Sequence, residues 1–313
     1  MTIVPVIDLA DPDLDALSAA CADHGFFLLS GHGLDDTISN TWSAAKLFMD
    51  SPTSTKSSVR RDSVNPLGYN DRELTKRSRD HKEVFDFIDP SNDHPVDPNR
   101  WPTGLPGFRE TLDDHFASVG TMAMRTLDLV WDALGADQAT RDTYPGEPSA
   151  SAVRLNRYAT DDPVPEAERS DLAPLGDVAL GHHTDVGVLT LLLQDDVGGL
   201  QALSTEDGWI DVPPDPGTIV VNLGDTMQVW SNDRFRAAVH RVTPMSRSER
   251  YSIPYFLNPR RDATLEPIEA LGSEPPLYRP FTWREYMQGR NDDNFADAGD
   301  EDVQISRYLL ADR

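Results

Sequence analysis

The most informative segment of this chain is 183–195, which reads His-Thr-Asp-Val-Gly-Val-Leu-Thr-Leu-Leu-Leu-Gln-Asp. A His-x-Asp sequence is followed directly by a run of Val, Leu and Thr, which is typical of a buried β-strand. Residues two apart on a strand point to the same face, so we expect His183 and Asp185 to direct an imidazole and a carboxylate at one point. Such a pair suits a metal ion, but it needs a third ligand from elsewhere in the chain.

A candidate for the third ligand is His240, which lies 55 residues beyond Asp185 in another predicted strand. Two histidines and one carboxylate on one face of a metal, with open positions opposite, is the arrangement of non-haem Fe(II) oxygenases. We therefore interpret His183, Asp185 and His240 as an iron site. The His-x-Asp sequence alone would leave open a structural histidine in the core, because short motifs also occur by chance.

Polar residues at alternate positions mark two further predicted strands. Arg250 and Ser252 share one face of the later strand, and Asn156 and Tyr158 share one face of the earlier strand. An arginine on the inner face of a barrel is costly unless it meets an anion, and its planar guanidinium suits a carboxylate. The sequence therefore predicts a carboxylate-binding site in strands close to the metal site.

The first part of the chain is predicted to be α-rich and the second part β-rich. The most regular helical pattern runs from Phe108 to Leu134, with apolar residues every three or four positions and Gly135 at its end. Short strands between Gly, Pro and Asp turns indicate a sandwich or barrel and argue against a parallel α/β sheet. The strands are predicted at 152–158, 188–194, 199–203, 209–212, 217–222, 237–243 and 250–257.

The composition indicates an acidic protein and disfavours nucleic-acid and membrane partners. The chain has 28 basic and 53 acidic residues, and its net charge of −25 repels nucleic-acid backbones and anionic lipid. Cys21 has no second cysteine with which to form an internal disulfide, and the N-terminal residues do not resemble a signal peptide. No segment reaches the roughly 18 apolar residues of a membrane span. We expect a cytoplasmic protein with no nucleic-acid or membrane partner, and the oligomeric state is left open.

Taken together, these motifs resemble the isopenicillin N synthase-like family of Fe(II)- and 2-oxoglutarate-dependent oxygenases. The His-Thr-Asp-x-Gly-x-Leu-Thr-Leu-Leu sequence, the distal His240 and Arg250-x-Ser252 are similar to that family's iron and 2-oxoglutarate signatures. The segment 154–158, Arg-Leu-Asn-Arg-Tyr, is similar to a strand that supplies further co-substrate contacts, and segments near the N-terminus also resemble the family. The resemblance covers nearly the whole chain.

The resemblance implies an α+β fold with a mainly β core. This core is a double-stranded β-helix, or jelly roll, with flanking N-terminal helices and a long central helix. We expect an α-rich N-terminal region at 1–135 packed on the core, the jelly-roll core at 150–290, and a C-terminal tail at 291–313.

The resemblance also implies a chemistry and a role for each site residue. Fe(II) would be bound by His183, Asp185 and His240. The far carboxylate of 2-oxoglutarate would be bound by Arg250, Ser252 and Tyr158, and Asn156 would reach the carboxylate at the iron end. Dioxygen would take the last iron position, and oxidation of a small-molecule substrate, most simply its hydroxylation, would release succinate and CO₂.

The chain departs from the family pattern at two positions. His182 precedes the metal histidine and Ala159 follows Tyr158, where the family often has proline. We interpret His182 as a non-ligand, because it would point to the opposite face from His183. Two alternatives stay open: an oxidase of the same family in which Arg250 and Ser252 hold the substrate's own carboxylate, and a non-catalytic jelly roll that binds a small acid.

The segment 56–82 opposes the charge of the whole chain. It contains eight basic and four acidic residues. One interpretation is a solvated basic surface that balances an acidic body. The other is a segment near the mouth of the site, where it would attract 2-oxoglutarate or an anionic substrate.

Overall fold

The computed structural model describes residues 4–75, 78–89, 97–245, 247–295 and 303–310. Its strands are β1 (Val6–Asp8), β2 (Phe26–Ser30), β3 (Gly68–Asn70), β4 (Leu74–Thr75), β5 (Ser78–Arg79), β6 (Lys82–Ile88), β7 (Ala152–Tyr158), β8 (Leu180–His183), β9 (Leu189–Gln194), β10 (Leu200–Ser204), β11 (Gly208–Asp211), β12 (Ile219–Leu223), β13 (His240–Val242), β14 (Arg250–Leu257), β15 (Thr264–Leu265) and β16 (Phe281–Thr282). Its α-helices are α1 (Leu14–Asp23), α2 (Asp35–Met49), α3 (Thr53–Ser57), α4 (Phe108–Leu134), α5 (Gln138–Thr143), α6 (Asp225–Trp230) and α7 (Trp283–Phe295). Short 3-10 helices lie at Pro148–Ala150, Glu166–Glu168, Glu269–Leu271 and Ile305–Tyr308.

Most of the longer strands belong to two sheets. The larger sheet has the order β1-β2-β12-β9-β14-β7-β6-β3, and the smaller sheet has the order β11-β10-β13-β8. All neighbours in these sheets are antiparallel except β1 and β2. From β7 to β14 the chain passes repeatedly between the two sheets, which is the connectivity of a jelly roll. The expected α+β fold with a double-stranded β-helix core is confirmed.

Two apolar cores lie on opposite faces of the larger sheet. The smaller core lies between the sheets and joins Leu192 and Val220 to Ala202 and Val242. The larger core lies on the other face, where α1, α2 and α4 pack. The alternation of side chains along β9 explains this division, because its odd-numbered leucines face the helices while Thr190 and Leu192 face the smaller sheet.

The central helix α4 has the bounds that its apolar spacing predicts. It runs from Phe108 to Leu134 and ends at Gly135, whose φ of 72° is left-handed and suits glycine. Gly120 lets this helix approach β14, because a Cβ there would lie only 2.8 Å from the Tyr255 hydroxyl oxygen. The helix therefore packs directly behind the strand that carries Arg250 and Ser252.

The expectation that His183 and Asp185 share one face of a single strand was wrong, whereas the strand predicted at 188–194 matches β9. β8 ends at His183 in the smaller sheet, and β9 begins at Leu189 in the larger sheet. The chain turns between them, and Gly187 passes so close to β14 that a Cβ would lie 2.7 Å from the Leu257 carbonyl oxygen. His183 and Asp185 nevertheless converge, because this turn brings the carboxylate back towards the imidazole.

The basic segment 56–82 contains β3, β4 and β5. The interpretation of its charges as a solvated basic surface is wrong for Lys56, Arg79 and Lys82, which are buried. Lys56 is bound to Glu83, Arg60 to Asp71, Arg61 to Glu73, Arg72 to Glu168, Arg79 to Asp162, and Lys82 to Glu73 and Asp80. Two of these acidic partners, Asp162 and Glu168, lie far along the chain, so counting charges within the segment could not find them. Lys76 and Arg77 lie outside the described residues.

The division of the chain at 135, 150 and 290 stays a prediction. The larger sheet combines β1, β2, β3 and β6 from the first predicted region with β7, β9, β12 and β14 from the second. The acidic part of the C-terminal tail falls mostly outside the described residues. Across the described ranges, no helix has both the length and the apolar character that crossing a membrane requires.

Candidate metal and co-substrate site

His183, Asp185 and His240 meet in the space between the two sheets. His183 ends β8 and His240 begins β13, and the two residues are paired in the register of the smaller sheet. Their ring centroids are 4.3 Å apart. One potential ligand atom from each of the three residues lies within 4.8 Å of the others. The structure therefore brings the three predicted ligands together.

Backbone carbonyls fix the orientation of both imidazoles. His183 Nδ1 is 2.9 Å from the Gly181 carbonyl oxygen, and His240 Nδ1 is 2.9 Å from that of Ala238. A carbonyl only accepts, so each Nδ1 carries the proton and each Nε2 keeps its lone pair. This is the tautomer that a metal-binding histidine needs.

The Asp185 carboxylate is held by two polar side chains that the sequence interpretation missed. Its Oδ2 accepts hydrogen bonds from Thr190 Oγ1 at 2.6 Å and from Asn222 Nδ2 at 2.8 Å. Its Oδ1 lies 3.8 Å from His183 Nε2. Because both donors bind the same oxygen, Oδ1 remains directed at the imidazoles and could bind a metal. The sequence signal that could have identified these two residues is their position, because each is a polar residue within an otherwise apolar strand.

The protonation states of His183 and Asp185 suit a cation. Burial and the neighbouring His240 lower the pKa of His183 to about 3. Burial works to raise the pKa of Asp185, but His240, His183 and the hydrogen bonds from Asn222 and Thr190 hold it below its usual value. At neutral pH the site therefore presents a neutral imidazole at His183 and a carboxylate at Asp185, which are the forms that bind metal.

Arg250 is a buried cation with unsatisfied hydrogen-bond donors among the described residues. Its side chain is 0% exposed, and its Nε and Nη1 find no hydrogen-bond partner in the described part of the chain. Its Nη2 reaches the Gln194 Oε1 at 3.4 Å, and the guanidinium carbon lies 5.0 Å from the centre of the Tyr158 ring. Burial of an unpaired charge is strongly unfavourable, so this guanidinium fits a bound carboxylate.

The other predicted co-substrate residues lie beside Arg250. Register places Tyr158 opposite Arg250 and Asn156 opposite Ser252. Asn156 Nδ2 lies 3.3 Å from Ser252 Oγ, while Asn156 Oδ1 has no hydrogen-bond partner among the residues described. One cavity is lined by these four residues and by the three predicted metal ligands. The donor set thus fits a divalent metal next to a dicarboxylate.

A buried ion-pair network that includes Lys82 reaches the same cavity. Lys82 Nζ lies 2.9 Å from Glu73 Oε2 and 3.2 Å from Asp80 Oδ2. Arg154, which also lines the cavity, binds Glu73 at 2.9 Å and Asp86 at 2.6 Å. Burial works to lower the pKa of Lys82, but the two carboxylates hold it above its usual value. The end of the segment 56–82 therefore lies at the site, although its charge is already paired.

His182 lies away from the metal ligands. Its side chain is exposed and meets the Trp209 ring edge-on, with a centroid distance of 6.3 Å. The described group of potential metal ligands does not include it. The arrangement agrees with its interpretation as a non-ligand.

The chain matches two family models that together span most of it. Residues 150–259 match the model described as the 2OG-Fe(II) oxygenase superfamily, and residues 4–104 match the one described as non-haem dioxygenase in morphine synthesis N-terminal. The chain is also 31% identical over 305 residues to Jasmonate-induced oxygenase 2 of Arabidopsis thaliana, covering 91% of this chain and 78% of that protein.

Two solved structures share the fold over nearly their whole length. JOX2 in complex with 2OG, Fe and JA matches with a TM-score of 0.77 and 30% identity, covering 92% of this chain and 84% of that one. A full-length Neurospora crassa protein in complex with alpha-KG and thymine matches with a TM-score of 0.76 and 26% identity, covering 93% of this chain and 96% of that one. These similarities confirm the resemblance drawn from the motifs. The chain belongs to the 2OG-Fe(II) oxygenase superfamily, and it is a dioxygenase that uses Fe(II), 2-oxoglutarate and O₂.

Proposed function

We propose that His183, Asp185 and His240 bind Fe(II), and that Arg250 and Ser252 bind the far carboxylate of 2-oxoglutarate. The observation that carries this proposal is the buried Arg250 guanidinium, whose Nε and Nη1 have no partner among the described residues. It lines the same cavity as a His-Asp-His group whose donor atoms already converge. A dicarboxylate with a keto acid at one end matches both halves of this cavity.

The remaining contacts follow from the positions of Tyr158 and Asn156. Tyr158 lies against Arg250, so we assign it to the far carboxylate with Ser252. Asn156 lies beside Ser252 on the inner face of β7, and its Oδ1 has no hydrogen-bond partner within the described ranges. We assign Asn156 to the carboxylate at the iron end.

The side chains of this protein would bind and orient the reactants rather than react themselves. When bound, Fe(II) with 2-oxoglutarate and dioxygen supplies the oxidising chemistry that hydroxylates a C–H bond and releases succinate and CO₂. Arg250 and Ser252 would fix one end of the co-substrate, and the triad would fix the metal. Leu180, Leu192 and Val242 line the cavity and would exclude water from it.

We propose a small organic molecule as the substrate and hydroxylation as its fate. Support comes from relatives crystallised with jasmonate or thymine, which are an acid and a neutral heterocycle. The test is a panel of small carboxylic acids and neutral heterocycles, assayed with Fe(II) for substrate-stimulated succinate formation. Succinate formation that no variant of Arg250 alters would overturn the site assignment. Oxygen uptake that needs substrate but not 2-oxoglutarate would instead support the oxidase alternative.

We also propose that the protein works in the cytoplasm without a nucleic-acid partner. A net charge of −25 disfavours contact with phosphate backbones, and the one cysteine, Cys21, is buried and unbridged. Cell fractionation with an antibody against the protein tests the location. A membrane or secreted fraction would contradict it.

A further inference from the structure

The loop that carries Asp185 is held by the start of helix α6. Asp225 N donates to the Asp185 carbonyl at 2.8 Å, and Thr226 N donates to the Gly187 carbonyl at 3.1 Å. Thr226 Oγ1 donates to the Val186 carbonyl at 2.8 Å. Three consecutive carbonyls of the turn between β8 and β9 are therefore fixed by two residues of one short helix.

The carbonyl before these three is held by the C-terminal helix. Arg290 on α7 donates from Nη2 to the Thr184 carbonyl at 2.8 Å, across 106 positions of sequence. Thr184 lies between the two predicted ligands His183 and Asp185. The same guanidinium donates from Nη1 to Gln304 Oε1 at 3.1 Å. Arg290 thus joins the metal-binding turn to two segments near the C-terminus.

A buried carboxylate completes the connection. Asp225 is 1% exposed, and its Oδ2 accepts hydrogen bonds from Tyr286 Oη at 2.6 Å and from Thr184 Oγ1 at 3.1 Å. Arg290 Nη1 lies 3.8 Å from the same oxygen. Thr184 is therefore held at its side chain by Asp225 and at its carbonyl by Arg290, while Tyr286 ties both to α7.

We propose that Arg290, acting with Asp225 and Tyr286, is a positioning residue for the metal site. Arg290 fixes the backbone of Thr184, and the backbone of Thr184 in turn sets the direction of the Asp185 carboxylate. The order of α7 and the retention of Fe(II) therefore depend on each other. The proposal rests on the proposed function, because it takes Asp185 as an iron ligand. Mutation of residues that orient metal ligands commonly weakens metal affinity by about 10–100-fold.

The direct test measures Fe(II) alone, added anaerobically to the full chain. Arg290→Gln should raise the Fe(II) Kd about tenfold. Arg290→Lys, which keeps the charge and one donor, should recover part of this affinity. The matched control is Arg284→Gln on the exposed side of the same helix, which should bind Fe(II) like the wild type. Tyr286→Phe is a milder variant for the case in which the Arg290 variants do not fold. It removes the hydroxyl but keeps the ring, and it should raise the Fe(II) Kd by less than Arg290→Gln does.

The second readout measures the reverse effect. If the order of α7 favours Fe(II) binding, then Fe(II) binding must favour the order of α7. Adding Fe(II) and 2-oxoglutarate should slow amide hydrogen exchange in α7 of the wild type, and Arg290→Gln should abolish this protection. A variant that is merely less stable would exchange faster with and without metal alike.

The outcomes separate this inference from the site assignment. If Arg290→Gln binds Fe(II) like the wild type while Asp185→Ala loses it, the positioning role is wrong and the proposed site stands. If Asp185→Ala also retains Fe(II), the proposed site is wrong. If Arg290→Gln and Arg284→Gln weaken Fe(II) binding equally, the effect belongs to surface charge and the proposal is overturned.

Discussion

At the scale of single residues, the metal site depends on contacts that its motif does not contain. The Nδ1 protons of His183 and His240 bond to the carbonyls of Gly181 and Ala238, and these bonds leave both Nε2 atoms directed into the cavity. Each carbonyl lies two residues before its histidine in the chain. The local strand backbone therefore selects the tautomer before any metal arrives.

Removal of either imidazole should remove the metal. A site with three protein ligands keeps only two in His183→Ala or His240→Ala, so we expect bound iron to fall to about a tenth or less of the wild-type content. Metal analysis after anaerobic Fe(II) loading and desalting measures this. His182→Ala is the matched control, because that imidazole lies against Trp209. Normal iron content in the double variant of His183 and His240 would refute the assignment.

Loss of the Arg250 guanidinium should act on the co-substrate and not on the metal. A hydrogen bond to a charged group contributes about 1.5–3 kcal/mol, so Arg250→Ala should raise the KM for 2-oxoglutarate at least about tenfold. Steady-state kinetics with varied 2-oxoglutarate measures the change, and Fe(II) content should stay near that of the wild type. Arg241→Ala, which removes a partly exposed arginine stacked on Trp209, serves as the control. An unchanged KM would leave the buried cation without its proposed role.

The sequence could predict the residues of the motif but not those that orient them. His183, Asp185 and His240 carry recognisable spacing and converge as expected. Thr190 and Asn222 looked like ordinary strand residues, because their role depends on β9 and β12 being neighbours in the larger sheet. A polar residue on an apolar strand indicates an inward partner, yet the partner's identity is a tertiary property.

At the scale of elements, the periodic apolar pattern predicted the helix α4. It did not predict where the chain leaves β8 in the smaller sheet and enters β9 in the larger sheet. The apolar spacing of α4 gave its bounds because one side of that helix is buried in the larger core from Phe108 to Leu134. The break between β8 and β9 has no comparable signal. It depends on Gly187 passing beside Leu257 and on Gly224 packing against the turn, and both approaches come from distant parts of the chain.

A methyl group at Gly224 should displace the metal-binding turn. An ideal Cβ at this position would lie 2.2 Å from the Gly187 carbonyl oxygen and 2.9 Å from that of Asp185, and a backbone atom cannot move aside cheaply. We expect Gly224→Ala to lower the free energy of unfolding by about 1–3 kcal/mol and to weaken Fe(II) binding. Denaturant unfolding and anaerobic Fe(II) titration measure the two effects.

The chain offers a matched control for that substitution. Gly272 has an extended φ of 178° and nothing near the position of its Cβ. Gly272→Ala should leave unfolding unchanged or stabilise the fold by up to about 1 kcal/mol, because alanine restricts the unfolded chain. Equal behaviour of the two alanine variants would mean that the turn tolerates a side chain at Gly224.

At the scale of the whole molecule, the ion pairs that a charged residue forms decide more than the net charge whether it can attract an anionic ligand. The net charge is −25, and the segment 56–82 has an excess of basic residues. In the fold, Lys56, Arg79 and Lys82 are buried with carboxylates, so these three charges of the segment form internal ion pairs. Steering by its exposed charges is therefore not supported for these residues. Arg250 differs from these residues, because it is buried while its Nε and Nη1 have no hydrogen-bond partner among the described residues, and it is therefore suited to an anionic ligand.

His115 on α4 should contribute to the pH dependence of the free energy of unfolding. His115 lies on α4 and is 0% exposed. Thr41 Oγ1 donates its proton to the Thr37 carbonyl, so it accepts one from His115 Nδ1 at 3.1 Å. His115 Nε2 has no hydrogen-bond partner in the described part of the chain. Protonation would therefore place an unpaired N–H⁺ in the core between α2 and α4.

Burial lowers the pKa of His115 to about 4, whereas an unfolded histidine has a pKa of about 6.5. The unfolded chain therefore binds the proton first as the pH falls. The stability linked to neutral His115 is complete above about pH 6.5 and is lost progressively down to about pH 4. As the pH falls from 7.5 to 5, His115 should lower the free energy of unfolding by about 2 kcal/mol. His115→Gln cannot titrate, so its free energy of unfolding, measured by denaturant titration of metal-free protein, should fall less over this range than that of the wild type. Parallel pH profiles for the two proteins would show that His115 is not the group responsible.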